Sequence, residues 1–185
     1  MCKKCSWVNQ KNPLYVKYHD EEWGVPLHDD RALFELLILE GFQAGLSFEC
    51  ILNKRNAFRE AFEGFDVDKV SKFNDEKCSL LMLNKDIVRN HLKIRAAVNN
   101  AKIFKQIQAE FSSFDTYIWS FTNKDVIYED YSIRTTSPLS DEISKDLKRR
   151  GMTFVGSTII YSFLQAMGVI YAHGKECLLY KNPNV

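Results

Sequence analysis

The chain has no stretch approaching the roughly 18 consecutive apolar residues that a membrane-spanning helix requires, so no membrane partner is expected. Its opening, MCKKCSWVNQ, has none of the apolar run of an export signal, and a cytoplasmic location is expected. An even set of cysteines is also missing. Five is an odd number, ill suited to a disulfide framework and at home in a reducing compartment. No charge sign dominates: a net charge of +1 neither requires nor excludes a nucleic-acid partner, and any basic surface must be local. Internal repeats and low-complexity segments are absent. Apolar residues are plentiful, at 45% with 13% aromatics, enough for a sizeable core in 185 residues, read as one domain over 1–185.

The pattern is mostly helical. DDRALFELLILEG sets aspartates before an apolar block and Gly41 after it, which reads as a helix start and stop. The run from Leu46 to Phe62 continues at near-helical spacing. Asp66 and Asp75 are expected to cap two short helices. The segment IVRNHLKIRAAVNNAKIFKQIQAEF is long and amphipathic, with Ile94, Ala97, Ala101, Phe104 and Ile107 on one stripe. TYIWSF follows as a short helix, then the polar loop TNKDVIYEDYSIRTTSPLS, then a capped helix, SDEISKDLKRRG, ending at Gly151. The last strong helix, STIIYSFLQAMG, is apolar almost all round and is expected to be central.

Two constellations carry chemistry. His173 and Cys177 stand four residues apart near one terminus, a spacing that directs both side chains to one side of a helix or tight turn. Imidazole and thiolate are zinc ligands, and a structural zinc takes four. The other terminus offers Cys2, Cys5 and His19, with Cys2–Cys5 and Cys5–His19 as competing pairs. Either would staple the two ends of the chain together. The plainer reading is a surface histidine beside a buried thiol, and a Cys–His catalytic dyad is a third.

The second constellation is YHDEEWG with LEGFQAGLSF. Glu40 shares a helical stripe with Leu33, Leu36 and Leu37, near a helix C-terminus where the dipole disfavours negative charge. It either points to solvent or serves a purpose. Tyr15, Tyr18, Trp23, Phe42 and Phe48 surround it in sequence. Aromatics at this density are usually core; with one carboxylate and no obvious basic partner they also describe a pocket for a flat, cationic ring.

NPLYVKYHDEEWGVP, LEGFQAGLS, KIRAAVNNA, LKRRGMTFVGSTIIYSFLQAMG and the closing His-x-x-x-Cys together resemble the 3-methyladenine DNA glycosylase I family over nearly the whole chain. The resemblance implies an all-α helix-hairpin-helix fold with a zinc-binding element joining segments 1–25 and 169–185. It places the four metal ligands on Cys5, His19, His173 and Cys177, leaving Cys2 as a thiol able to compete. It implies a monomeric, monofunctional enzyme that removes N3-methyladenine, and N3-methylguanine, from alkylated double-stranded DNA. Glu40 is then the base-reading catalytic carboxylate, and Tyr18, Trp23, Tyr15 and Phe48 are pocket aromatics. Leu46 plugs the stack left by the flipped base. NKDIVR is the expected hairpin, while Gly156, Ser157 and Thr158 offer a helix N-terminus to phosphate. Arg149 and Arg150, beside Lys148, add charge, although a cationic run at a helix end is ordinarily solvated. Phe48 stands where the family usually has tryptophan, a departure that bears on affinity and substrate range. The competing functional class is a zinc-stapled protein that binds alkylated bases without cutting.

Overall fold

A computed structural model describes residues 3–129 and 134–181. Cys2 lies outside the described residues. The fold is mostly helical, as the sequence indicates. Helices α1 (Pro13–Glu21), α2 (Asp30–Gln43), α3 (Phe48–Asn53), α4 (Arg55–Ala61), α5 (Val67–Val70), α6 (Asp75–Leu83), α7 (His91–Phe111), α8 (Phe114–Ser120), α9 (Pro138–Arg149) and α10 (Ser157–Ala166) follow in order. Two two-residue strands, β1 (Ile127–Tyr128) and β2 (Ile170–Tyr171), pair in parallel and tie the long loop to the C-terminal segment.

Local chemistry explains the helix starts. Asn12, Asp29, Ser47, Asp66, Asn74, Asn90, Ser113 and Ser137 each accept a hydrogen bond from a backbone N–H of the turn they precede. Each such cap contributes about 1 kcal/mol. Asp66 caps as expected. Asp75 does not: Asn74 takes that position, and Asp75 lies in the first turn, where its charge still meets the helix dipole favourably. Gly41 does not end α2, which runs on to Gln43. The apolar run from Leu46 to Phe62 is two helices, broken at Lys54.

Helices α2 and α10 form the centre. Leu33, Phe34, Leu37 and Leu39 of α2 and Ile160, Phe163 and Leu164 of α10 are fully or almost fully buried. Helix α10 packs on both α9 and α2, and α7 packs on α2, α5, α6 and α8. The stripe read on α7 is the buried one, with Ile94, Ala101, Phe104 and Ile107 at 0% exposure. After α10 the chain turns at Gly168 (φ +80°), where a Cβ would lie 2.4 Å from the Val25 carbonyl carbon. Only glycine fits so close to that backbone. Through this turn Leu27 N–H bonds Met167 O at 3.0 Å and Gly24 N–H bonds Gln165 O at 3.1 Å, setting the two chain ends side by side.

Candidate active site

Helix α1, Phe48 at the start of α3, the last turn of α2 and the C-terminal half of α10 line a cavity of about 330 Å³. Its lining includes Tyr15, Tyr18, Trp23, Glu40 and Phe48, so the sequence-predicted base-site residues come together. Pro13 fixes the first turn of α1. Tyr15 and Tyr18, three residues apart, then share one face and turn inward. The Tyr18 and Phe48 rings approach to 4.8 Å between centroids, inclined at 40°. Phe42, the remaining aromatic of that sequence cluster, belongs instead to the core, against Phe58 and Phe62.

Glu40 does not point to solvent. It is 3% exposed, and its Oε2 has no hydrogen-bond partner among the described residues. Burial alone pushes its carboxyl up to about 8, because the ionised form loses its hydration and gains no cation in exchange. The same helix carries a second buried acid, Glu35, which is satisfied: Arg55 reaches it at 2.5 Å and Arg59 at 2.8 Å. One helix thus holds two buried acids, one paired with two guanidinium groups and one left open to a cavity. An unpaired buried carboxyl costs stability, and Glu40 shares its cavity with the rings of Trp7, Tyr15, Tyr18, Trp23 and Phe48.

The sequence did not point to Trp7, Gln43, Arg134, Thr135, Ser162 and Gln165, which also line the cavity. Ser162 and Gln165 sit three apart on α10, polar residues in the second half of a helix read as apolar almost all round. Gln43 is likewise three beyond Glu40 on α2. Those spacings were the available signal. Trp7 had none, since only the folded N-terminal segment brings it against Tyr15 (5.3 Å between ring centroids) and Trp23 (5.0 Å).

Behind Trp23 lies the second cluster. Cys5, His19, His173 and Cys177 are all buried, and their ligand atoms lie within 4.8 Å of one another, an arrangement able to hold a metal ion. Cys5 Sγ is 3.5 Å from His173 Nδ1, and Cys177 Sγ is 3.5 Å from His19 Nε2 and 3.6 Å from His173 Nδ1. The backbone N–H groups of Gly174 and Leu179 point at the two sulfurs, each at 3.4 Å. Asp20 accepts from His19 Nδ1 at 2.7 Å, fixing the ring so that Nε2 faces the cluster. Burial pushes the Cys5 thiol up to about 12 and the His173 imidazole down to about 4. The cluster adjoins the cavity: Trp23 meets the His173 ring edge-on at 4.8 Å and stacks over His19 at 6.4 Å.

The expected DNA-contacting residues lie elsewhere. Leu46 is exposed, at the turn between α2 and α3. Gly156, Ser157 and Thr158 open α10, whose first N–H groups have no side-chain cap. The Ser157 hydroxyl is engaged with Ser140 and Asp141. Arg149 is exposed and paired with Asp146. Arg150 is not a free surface cation: Glu110 receives it through two nitrogens, at 2.6 and 3.1 Å, Asp146 at 2.7 Å, and its guanidinium lies over the Phe111 and Tyr117 rings. The NKDIVR stretch forms the turn between α6 and α7.

An aromatic cavity with one unpaired acid, carried on a mostly helical frame, has the chemistry to accept a flat, cationic ring. The match to the methyladenine glycosylase family model spans residues 7–180. DNA-3-methyladenine glycosylase 1 of Escherichia coli (strain K12) is 41% identical over 182 residues, covering 96% of this chain and 97% of the relative. A crystal structure of 3-methyladenine DNA glycosylase I superposes with a TM-score of 0.92 at 40% identity, covering 97% of this chain and 100% of the other. The Staphylococcus aureus 3-methyladenine DNA glycosylase I, solved for the structural basis of its 3-methyladenine recognition, gives 0.90 at 37% identity, covering 97% and 98%. The chain belongs to the methyladenine glycosylase family.

Proposed function

We propose that this chain is a monofunctional repair glycosylase that hydrolyses the N-glycosidic bond of N3-methyladenine, and of N3-methylguanine, in double-stranded alkylated DNA. The observation that carries the reading is Glu40, a buried acid with an unpartnered oxygen in an aromatic cavity. N3-methyladenine in DNA carries a delocalised positive charge, so its glycosidic bond is already weakened. The enzyme flips the nucleotide out of the stack and reads the base in the pocket. Tyr18, Trp23, Tyr15 and Phe48 clamp the ring. Glu40 accepts from the exocyclic amine, and the cationic ring supplies the charge that draws its proton off. The bond from the base nitrogen to C1′ breaks, and its electron pair cancels the charge on the base. The cationic sugar carbon is captured by water, which releases a proton and leaves an abasic site. No lysine is assigned a covalent role, so the strand stays intact.

The DNA reading places Leu46 in the gap left by the flipped base and phosphate at the start of α10. The pair α9 and α10, with the turn 150–156 between them, suits a helix-hairpin-helix element better than NKDIVR does, because Gly156, Ser157 and Thr158 present open backbone N–H groups there. Arg149 adds charge beside it, while Arg150 is occupied as a structural group. The chain acts as one monomeric domain over 1–185.

The metal is zinc, held by Cys5, His19, His173 and Cys177 and joining segments 1–25 and 169–185. A tetrahedral zinc with bonds of about 2.3 Å to sulfur and about 2.0 Å to nitrogen sets sulfur–nitrogen edges near ~3.5 Å, and the separations of 3.5, 3.5 and 3.6 Å support that fit. Bound there, it supplies structure alone, since four protein ligands leave no position for water. The test of the function is incubation with methylated duplex DNA, with released bases and strand breaks quantified separately. The reading expects free 3-methyladenine and no breaks before alkali. Intact bases on the DNA despite tight binding would place the chain among the non-catalytic binders.

A further inference from the structure

The segment KIRAAVNNA of α7 carries polar residues that the chemistry above does not use, and three of them, Lys93, Asn99 and Asn100, reach backbone of other segments. Lys93 is 7% exposed, an unusual place for a lysine. Its Nζ donates to Phe42 O at 2.8 Å and to Ala44 O at 2.6 Å, the carbonyls that the end of α2 leaves without helical partners. This is a helix C-terminus capped by a cation from another helix, and it explains why α2 runs past Gly41. The capped turn leads directly through Gly45 to Leu46. Two helical turns further along α7, Asn100 is 4% exposed and clasps Thr153 from both sides: Thr153 N–H donates to its Oδ1 at 3.0 Å, and its Nδ2 donates to Thr153 O at 2.8 Å. Asn99 Nδ2 adds a bond to Gly151 O at 2.9 Å. The Phe154 ring lies 5.9 Å from Lys93 Nζ, and Gly41 packs against the same residue, its Cβ position 3.5 Å from Phe154 O.

We infer that Lys93 and Asn100 are positioning residues that make α7 a ruler, holding the Leu46 turn and the 150–156 turn in fixed register so that wedge and phosphate contact engage duplex DNA together. Neither touches the base cavity. Neither is a surface contact for DNA. They act through two backbone turns, and they set the cost of opening the duplex, not the reading of the base. The inference rests on the glycosylase reading above.

The test measures single-turnover excision of 3-methyladenine from a fully paired duplex and from an otherwise identical DNA in which the damaged base faces an abasic gap and is already unpaired. Free 3-methyladenine affinity is measured alongside. Displacing a reacting arrangement by about an ångström costs on the order of a hundredfold, so Lys93→Met is expected to slow the paired substrate about ten- to a hundredfold. On the unpaired substrate the loss should stay within about threefold, and affinity for the free base should stay within about twofold. Lys93→Arg, which keeps a charged donor, should recover most of the paired-substrate rate. On a Leu46→Ala background, Lys93→Met should cost little more, because coupled residues are not additive. Asn100→Leu should show the same contrast between substrates, and it carries the test if Lys93→Met fails to fold. Equal losses on both substrates, or loss of free-base affinity in step with rate, would overturn the ruler. A parent protein that releases no base from either substrate would instead overturn the glycosylase reading on which the ruler depends.

Discussion

Glu40→Gln keeps the shape of the side chain and removes its titratable proton, and two opposite consequences follow. Burial raises the Glu40 carboxyl to about 8, against an ordinary value of about 4.3 in an unfolded chain. Over that window the native state holds a proton that the unfolded state has released. The unfolded state binds fewer protons, so stability falls as pH rises, fully present below the unfolded value and lost on passing the folded one. Each pH unit is worth about 1.4 kcal/mol, so the ceiling across the window is about 5 kcal/mol. Water in the open cavity lowers this, and a difference of about 2–4 kcal/mol is expected. Urea unfolding of parent and variant at pH 5 and pH 8 measures it. The parent should lose stability between those values relative to Glu40→Gln, and the variant should be the more stable at pH 8. Recognition should move the other way. A charge-assisted hydrogen bond contributes about 1.5–3 kcal/mol, so base binding should weaken about ten- to a hundredfold. Parallel stability profiles for the two proteins would refute the reasoning, because Glu40 would then be ionised and solvated in the empty pocket.

Phe48→Trp should tighten 3-methyladenine binding by about 1 kcal/mol, and Phe48→Leu should weaken it, with affinity for undamaged DNA unchanged in both; no change in either would reduce Phe48 to lining. Elemental analysis of protein prepared under reducing, chelator-free conditions should find one zinc per chain, lost on His19→Ala and kept on Cys2→Ser; the reverse pattern would move the ligand from His19 to Cys2. With a net charge of +1, DNA affinity should fall with salt along a shallow slope, and Arg149→Ala should weaken all DNA sequences alike. A loss confined to alkylated DNA would count against a phosphate role for Arg149.

The pocket was legible in the sequence where local spacing decides the outcome. Tyr15 and Tyr18 face one way because α1 is a helix fixed by Pro13, and Glu40 was conspicuous as an acid among leucines. The Cys/His cluster was legible in chemistry, while the choice among the terminal candidates came from family resemblance. What the sequence hid was tertiary. Gly41 reads as a stop, yet α2 continues because Lys93, fifty residues on in the chain, satisfies its last carbonyls. Arg149 and Arg150 read alike as a basic run; only Glu110, reached across the fold, separates a structural arginine from an exposed one. Glu35 and Glu40 differ in the same way, since only packing supplies arginines to the first and a cavity to the second.

The account turns on whether the acid in the cavity reads a cationic base for excision. The most direct measurement is single-turnover release of 3-methyladenine from methylated duplex DNA at neutral pH, parent against Glu40→Gln, at enzyme concentrations that saturate the DNA. The account predicts release by the parent without strand cleavage and a rate about ten- to a hundredfold lower for the variant. Equal rates from the two proteins would contradict it.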